Sequence, residues 1–499
     1  MSVTATQSAD SGLLYTDSEW DFETLQRAYD AIERIALDDL GLNVYPNQVE
    51  IISSEQMLDA YSSHGMPLMY QHWSFGKRFA RDETLYRRGF QGLAYEIVIN
   101  SNPCIAYLME ENTMTMQALV MAHASFGHNH FFKNNYLFRQ WTDADGILGY
   151  LDFAKKYIMR CEDNYGHEEV EEILDAAHAI MDQGVFRYRR RPRLSETEKL
   201  DRVRRRLAHD QSTFNDLWRT LPDASPDGEP EDDEDEREIG DIQLPEENLL
   251  YFLEKQSPVL APWQREILRI VRNISQYFYP QKQTKVMNEG CATFVHHYIM
   301  NKLHEEGMIS DGALMEFLHS HTSVVFQPDF DDPRYSGINP YALGFAMMED
   351  IRRICEAPDA EDREWFPDIA GTGAWREVLR DAWANFRDES FILQYLSPKV
   401  MRHFHLFALA DDGSSPFYTV DAIHNEEGFR QVREALASMY DLARHEADIQ
   451  VVGANLAGDR TLKLRHTPIA STPIDEATRD DVMAYVKRLW GHKVELESA

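Results

Sequence analysis

QTKVMNEGCATFVHHYIMNKLHEEG, residues 283–307, reads as one helix entered after Pro280, with a carboxylate at Glu289 and imidazoles at His296, His297 and His304. Helix positions seven apart return to nearly the same direction, so Glu289 and His296 share a face with Ala292, Thr293 and Met300. A carboxylate and a histidine left bare on an otherwise apolar face are costly to bury, so both need partners, water or a ligand. The flanking sequence has to supply them.

Immediately upstream, Trp263, Ile267, Ile270, Ile274 and Phe278 keep helical spacing and predict an amphipathic support that delivers the chain to Gln283. Further back, MQALVMAHASFGHNHFFKNNYLFRQW, residues 116–141, holds His123, His128 and His130 on or beside a helix. His123 and His130 share a face, whereas His123 and His128 diverge by about 140° in a regular helix. A break or π-bulge at Gly127 would bring all three together, a distortion often found at functional sites. Three imidazoles this close suit zinc or another divalent metal, yet no H-E-x-x-H occurs, and core hydrogen bonding is the alternative use. The candidate metal ligands are therefore His123, His128, His130, Glu289 and His296, with Glu289 also the candidate catalytic base.

Other residues are candidates for a surrounding pocket. MYQHWSFGKRF, residues 69–79, reads as an aromatic loop offering His72 and Trp73, or simply as a loop anchored on the core. The helix HEEVEEILDAAHAIMDQG, residues 167–184, closed by Gly184, sets Glu171, Asp175 and His178 four and three apart; its glutamates also suit a solvated helix start. Glu96, Asn134 and Asn288 complete the set.

At 499 residues the chain should hold more than one unit, at roughly 100 to 200 residues per domain. A net charge of -34 argues against general nucleic-acid binding, which needs clustered Lys and Arg. Four cysteines without C-x-x-C suggest neither a zinc ribbon nor a disulfide framework, and no apolar run reaches membrane length, so a cytoplasmic protein is expected. Strands are predicted at Val49–Ile52, at Tyr95–Ile99 and, after a break at Asn100–Pro103, at Ile105–Met109. Toward the C-terminus, strand-like HLFALAD, PFYTVDAI, DIQVVGANL and TLKLRHTP combine with helices over Glu426–Arg444 and Asp475–Leu489. The expected organisation is a flexible N-terminus (1–17), a helical and strand part of the main domain (18–220), an acidic disordered insert (221–241), a second helical part (242–390) and a small C-terminal α/β module (391–499). The fold class is α+β and predominantly helical: a large helical domain with a zincin-like helix pair and a few strands, plus that module.

Taken together, MYQHWSFGK, INSNPCIAYLMEENT, HASFGHNHFFKNN, ILDAAHAI, QKQTKVMNEGCATFVHH and DRTLKLRHTP resemble the SpoVR family, named for stage V sporulation protein R, from about Trp20 to Glu495. The resemblance implies a bacterial cytoplasmic protein, tied to spore cortex formation in sporulating relatives and present in bacteria that form no spores. It also implies action with a PrkA-type serine protein kinase and a von Willebrand factor A-like protein. Two function classes follow. One is a regulatory protein of stress or stationary-phase physiology working through those partners. The other is a metal-dependent hydrolase in which one helix gives histidines and the other a carboxylate within N-E-G-x-A.

Overall fold

The computed structural model describes residues 12–63, 66, 69–87, 96–187, 244–410, 419–422, 424–468, 474 and 476–498. The acidic insert and most of the N-terminal segment lie outside these residues, as does Tyr95. The fold is α+β and predominantly helical, with short strands in small sheets.

Lys285–Glu305 forms the central helix. Val286, Met287, Cys291, Phe294, Val295, Ile299, Met300 and Leu303 bury it on nearly every side, as expected of a helix that is apolar all round. It does not begin directly after Pro280. That proline lies inside the preceding helix, Pro262–Gln283, and the break comes at Thr284, whose Oγ1 donates to the Pro280 carbonyl at 2.8 Å. Proline in a helix forfeits an N–H, and here burial of Tyr277, Tyr279 and Pro280 itself holds the helix through it. The central helix starts against Asp388, whose two carboxylate oxygens accept the N–H groups of Val286 and Met287, both at 2.9 Å.

Two large cores share the structure. One gathers Ile32, Phe126, Phe294, Leu343 and Phe391 around the central helix, and Phe429, Val432 and Leu436 of the helix Glu426–Met439 join it. The other gathers Ile158, Leu174, Leu253, Ile267 and Ile274 and takes in Val451, Leu464, Leu489 and Trp490. A sheet abuts the first core. Its middle strand, Cys104–Met109, pairs parallel with Asn47–Ile52 and antiparallel with Glu96–Ile99, which sets Glu96 opposite Leu108.

Three local expectations need correction, and one strand was not foreseen. Residues 69–79 are only partly loop, because a helix Trp73–Arg87 starts there with His72 Nδ1 accepting the Ser74 N–H at 3.4 Å. The helix predicted to run to Gly184 ends at Ala179 and continues as a 3-10 turn, Met181–Gln183. The helix predicted over Glu426–Arg444 stops at Met439, and Asp441 caps a separate turn, Leu442–His445, by accepting the Ala443 N–H. A strand that was not anticipated, Val494–Ser498, pairs parallel with Leu462–Thr467, so the helix Glu476–Trp490 is the crossover such pairing requires. Among the described residues, no helix is long and apolar enough to cross a membrane.

Candidate metal centre

The histidines come from a widened turn. The helix Met114–Met121 passes into a π stretch, Ala122–His128, and returns to α geometry at Asn129–Asn134. In a π turn the bonded partner is five residues away, so positions five apart take the stacked relation that four apart have in an α-helix. His123 and His128 are therefore brought together, ring centroids 4.6 Å apart and nearly perpendicular. The distortion falls where the central helix presses closest. A Cβ on Gly127 would stand 2.5 Å from Ala292 Cα, so only glycine admits this contact. On the opposite flank, a Cβ on Gly290 would stand 2.6 Å from Gly344 Cα of the helix Pro340–Glu356. Glu289 thus sits between two tight helix crossings, which accounts for the small residues that follow it.

Three elements converge. Glu96, from the edge strand, places Oε1 3.5 Å from His123 Nε2. Glu289 places Oε2 3.5 Å from His128 Nε2 and 4.0 Å from His123 Nε2. One ligand atom each of Glu96, His123 and His128 lies within 4.8 Å of the others. His123 Nε2 and Glu289 Oε2 are buried without a hydrogen-bond partner, a state that costs free energy unless something else satisfies them. Four ligands at about 2.1 Å around a tetrahedral ion stand about 3.4 Å apart, which the shorter contacts match. The donor set, two imidazoles and the Glu96 carboxylate, suits a divalent metal, and the Glu289 carboxylate stands beside it. The Glu96 and Glu289 side chains retain 20% and 18% of their surface, so the cluster opens to solvent on the carboxylate side.

The surroundings keep His123 and His296 neutral. Burial pushes His123 well below the ordinary histidine range, and the neighbouring His128 adds to this. His296 is lowered in the same way, by burial and then by His123. Burial, reinforced by the charge of Glu289, pushes Glu96 up to about 8. Behind the cluster, Asn288 Oδ1 meets His128 Nδ1 at 3.0 Å, and His296 Nδ1 meets His123 Nδ1 at 2.9 Å.

The remaining candidates lie elsewhere. The structure does not bring His130 to the cluster. Its Nδ1 accepts the Asn43 N–H at 2.9 Å and meets Asn134 Nδ2 at 3.2 Å, and its ring packs edge-on against Trp383. The extra residue in the π turn, which aligns His128 with His123, breaks the sevenfold relation of His123 with His130. His296 has both ring nitrogens engaged, the second on His321, and stands behind His123. His72, Trp73, Asp175 and His178 form a separate group, in which Asp175 Oδ1 meets His72 Nε2 at 3.1 Å and accepts from Trp73 Nε1 at 2.7 Å. Glu171 pairs with exposed His167 at 3.3 Å. Sequence reasoning assigned no role to His321, which lies on another helix at a spacing that carries no signal.

A family model described as "SpoVR like protein" matches residues 19–445, and one described as "SpoVR-like C-terminal domain" matches residues 447–499. An Escherichia coli (strain K12) protein, "Uncharacterized protein YcgB", is 54% identical over 501 residues, covering 100% of this chain and 96% of the relative. No solved structure matches. With both family models matched in succession over nearly its whole length, this chain belongs to the SpoVR family.

Proposed function

We propose that the cluster is a divalent-metal centre and that the protein is a metal-dependent hydrolase. The observation that carries this is the meeting of the unpartnered His123 Nε2 and Glu289 Oε2 with Glu96 and His128 at ligand spacing. His123 Nε2, His128 Nε2 and the Glu96 carboxylate would hold the ion, and zinc suits these donors. A bound divalent ion supplies Lewis acidity for activating water and polarising the scissile group. Glu96 completes the ligand set and so releases Glu289 to act as base. In this reading its Oε2 takes a proton from the attacking water and returns it to the leaving group. Asn288 and His296 hold the two rings in orientation.

Metal content of the purified protein tests this, measured by elemental analysis after loading with zinc, manganese or iron(II). About one equivalent is expected in the wild type, with loss in His123→Ala and Glu96→Gln. Glu289→Gln is expected to keep the metal and the fold while failing to complement a deletion strain. A wild type that holds no stoichiometric metal overturns the centre, and complementation by Glu289→Gln overturns its role as base.

The cellular setting proposed is the one implied by the family resemblance: cytoplasmic action with a PrkA-type kinase and a von Willebrand factor A-like protein in stress or stationary-phase physiology. Affinity purification of the tagged chain from stationary cells should recover both proteins, and recovery of neither counts against it.

A further inference from the structure

His123, His296 and His321 come from three different elements and form one continuous hydrogen-bonded file. His123 Nδ1 meets His296 Nδ1 at 2.9 Å, and His296 Nε2 meets His321 Nδ1 at 3.0 Å. All three rings are buried. Aromatic neighbours hold them, with Phe317 edge-on to His296 and Phe345 edge-on to His321 at 4.7 Å between centroids. A neutral imidazole has one N–H and one lone pair, so each contact between rings takes a single proton and the file runs in one of two directions, while the Ala292 carbonyl offers His123 a further acceptor on the Nδ1 side.

The directions are not equivalent for His123. When His321 Nδ1 donates to His296 Nε2, His296 Nδ1 donates to His123 Nδ1, and the His123 proton is left on Nε2, which then cannot serve as a ligand atom. In the opposite direction His123 Nδ1 donates to His296 Nδ1 and His296 Nε2 donates to His321 Nδ1. The lone pair of His123 Nε2 then faces Glu96 and Glu289. We infer that His296 and His321 are positioning residues whose hydrogen-bond direction sets the tautomer of His123 and hence its competence to bind metal. This rests on the metal-centre proposal above. It makes His321, bonded to His296, a determinant of the site through an intervening ring.

The test measures zinc affinity by chelator competition in the full-length protein, with the fold of each variant checked by circular dichroism. His296→Leu removes the side-chain acceptor, leaving only the Ala292 carbonyl, and should weaken binding by about 10- to 100-fold. His296→Asn sets an amide oxygen near the former Nδ1 and should restore most of that loss, which a purely space-filling role would not do. His321→Leu should weaken binding less. Nitrogen-15 NMR of the ring nitrogens should find the His123 proton on Nδ1 in the zinc-loaded wild type, and a mixture of tautomers in metal-free His321→Leu. Wild-type zinc binding that is undiminished in folded His296→Leu and His321→Leu overturns the inference and leaves the metal centre standing. Absence of zinc binding in the wild type overturns both. Should His296→Leu fail to fold, equal affinities in His321→Leu and wild type, with one unchanged His123 tautomer, overturn the inference.

Discussion

Glu96 and Glu289 set two carboxylates beside His123, which burial keeps neutral and so unable to balance their charge. Without a cation, one carboxyl is favoured in its protonated form, and Glu96 is pushed up to about 8. A metal must displace that proton. Binding at pH 7 should therefore release protons, and calorimetry in buffers of different ionisation heat should give apparent enthalpies that track the buffer; Glu96→Gln should abolish both heat and dependence. The metal-free protein follows the opposite sign. A carboxyl whose pKa rises on folding, here from 4.5 to about 8, stabilises fully at low pH, and that contribution is lost as pH climbs through 8. Metal-free Glu96→Gln should accordingly show a flatter decline of melting temperature between about pH 5 and 8. Little of Glu96's role was legible in the sequence, because a lone carboxylate in a four-residue strand, Glu96–Ile99, has no periodicity to mark it as a ligand.

The helices place these side chains through their imperfections. Gly127 lets the π turn approach Ala292, and a methyl group there collides with backbone rather than with a side chain able to swing away. Gly127→Ala should cost about 1 to 3 kcal/mol in chemical denaturation, as overpacked core positions do, and should lower metal affinity by separating His128 from Glu289. The central helix depends on its cap. Asp388 is wholly buried, and burial pushes its carboxyl from 3.8 up to about 7 although the backbone N–H groups of Val286, Met287 and Lys285 draw it down. Its stabilising contribution is complete below about pH 4 and fades as pH rises through 7. Asp388→Asn should remove that dependence and lose one N–H acceptor, at about 1 kcal/mol, readable as a shifted and flatter pH profile of unfolding. The possibility of a bulge at Gly127 could be raised from the sequence, since five-residue spacing makes no sense on a regular helix. Its consequence for His130 was hidden, because a widened turn improves one spacing only by spoiling another.

Across the whole molecule, the centre belongs to the core around the central helix, while the last strands and helix of the chain complete the other. Trp490 is fully buried in that second core, stacked obliquely near Phe252, with its Nε1 donating to the Arg460 carbonyl at 2.6 Å. Trp490→Ala should destabilise by about 3 to 5 kcal/mol in denaturant unfolding. Metal stoichiometry of the folded fraction should stay unchanged, and its loss would mean that the two cores do not act as separable supports. The sequence by itself determined the helical character, most of the strands and the two histidine- and glutamate-bearing segments, because apolar periodicity and local turn chemistry are short-range properties. It also carried the family, through long motifs in order. The tertiary structure alone settled which donors meet: Glu96 joins from a strand edge, His321 stands behind His296, and His130 turns to Asn43. Those outcomes depend on how closely helices cross at Gly127 and Gly290 and on one extra residue in a turn, and contacts between segments far apart in the chain leave no spacing to read.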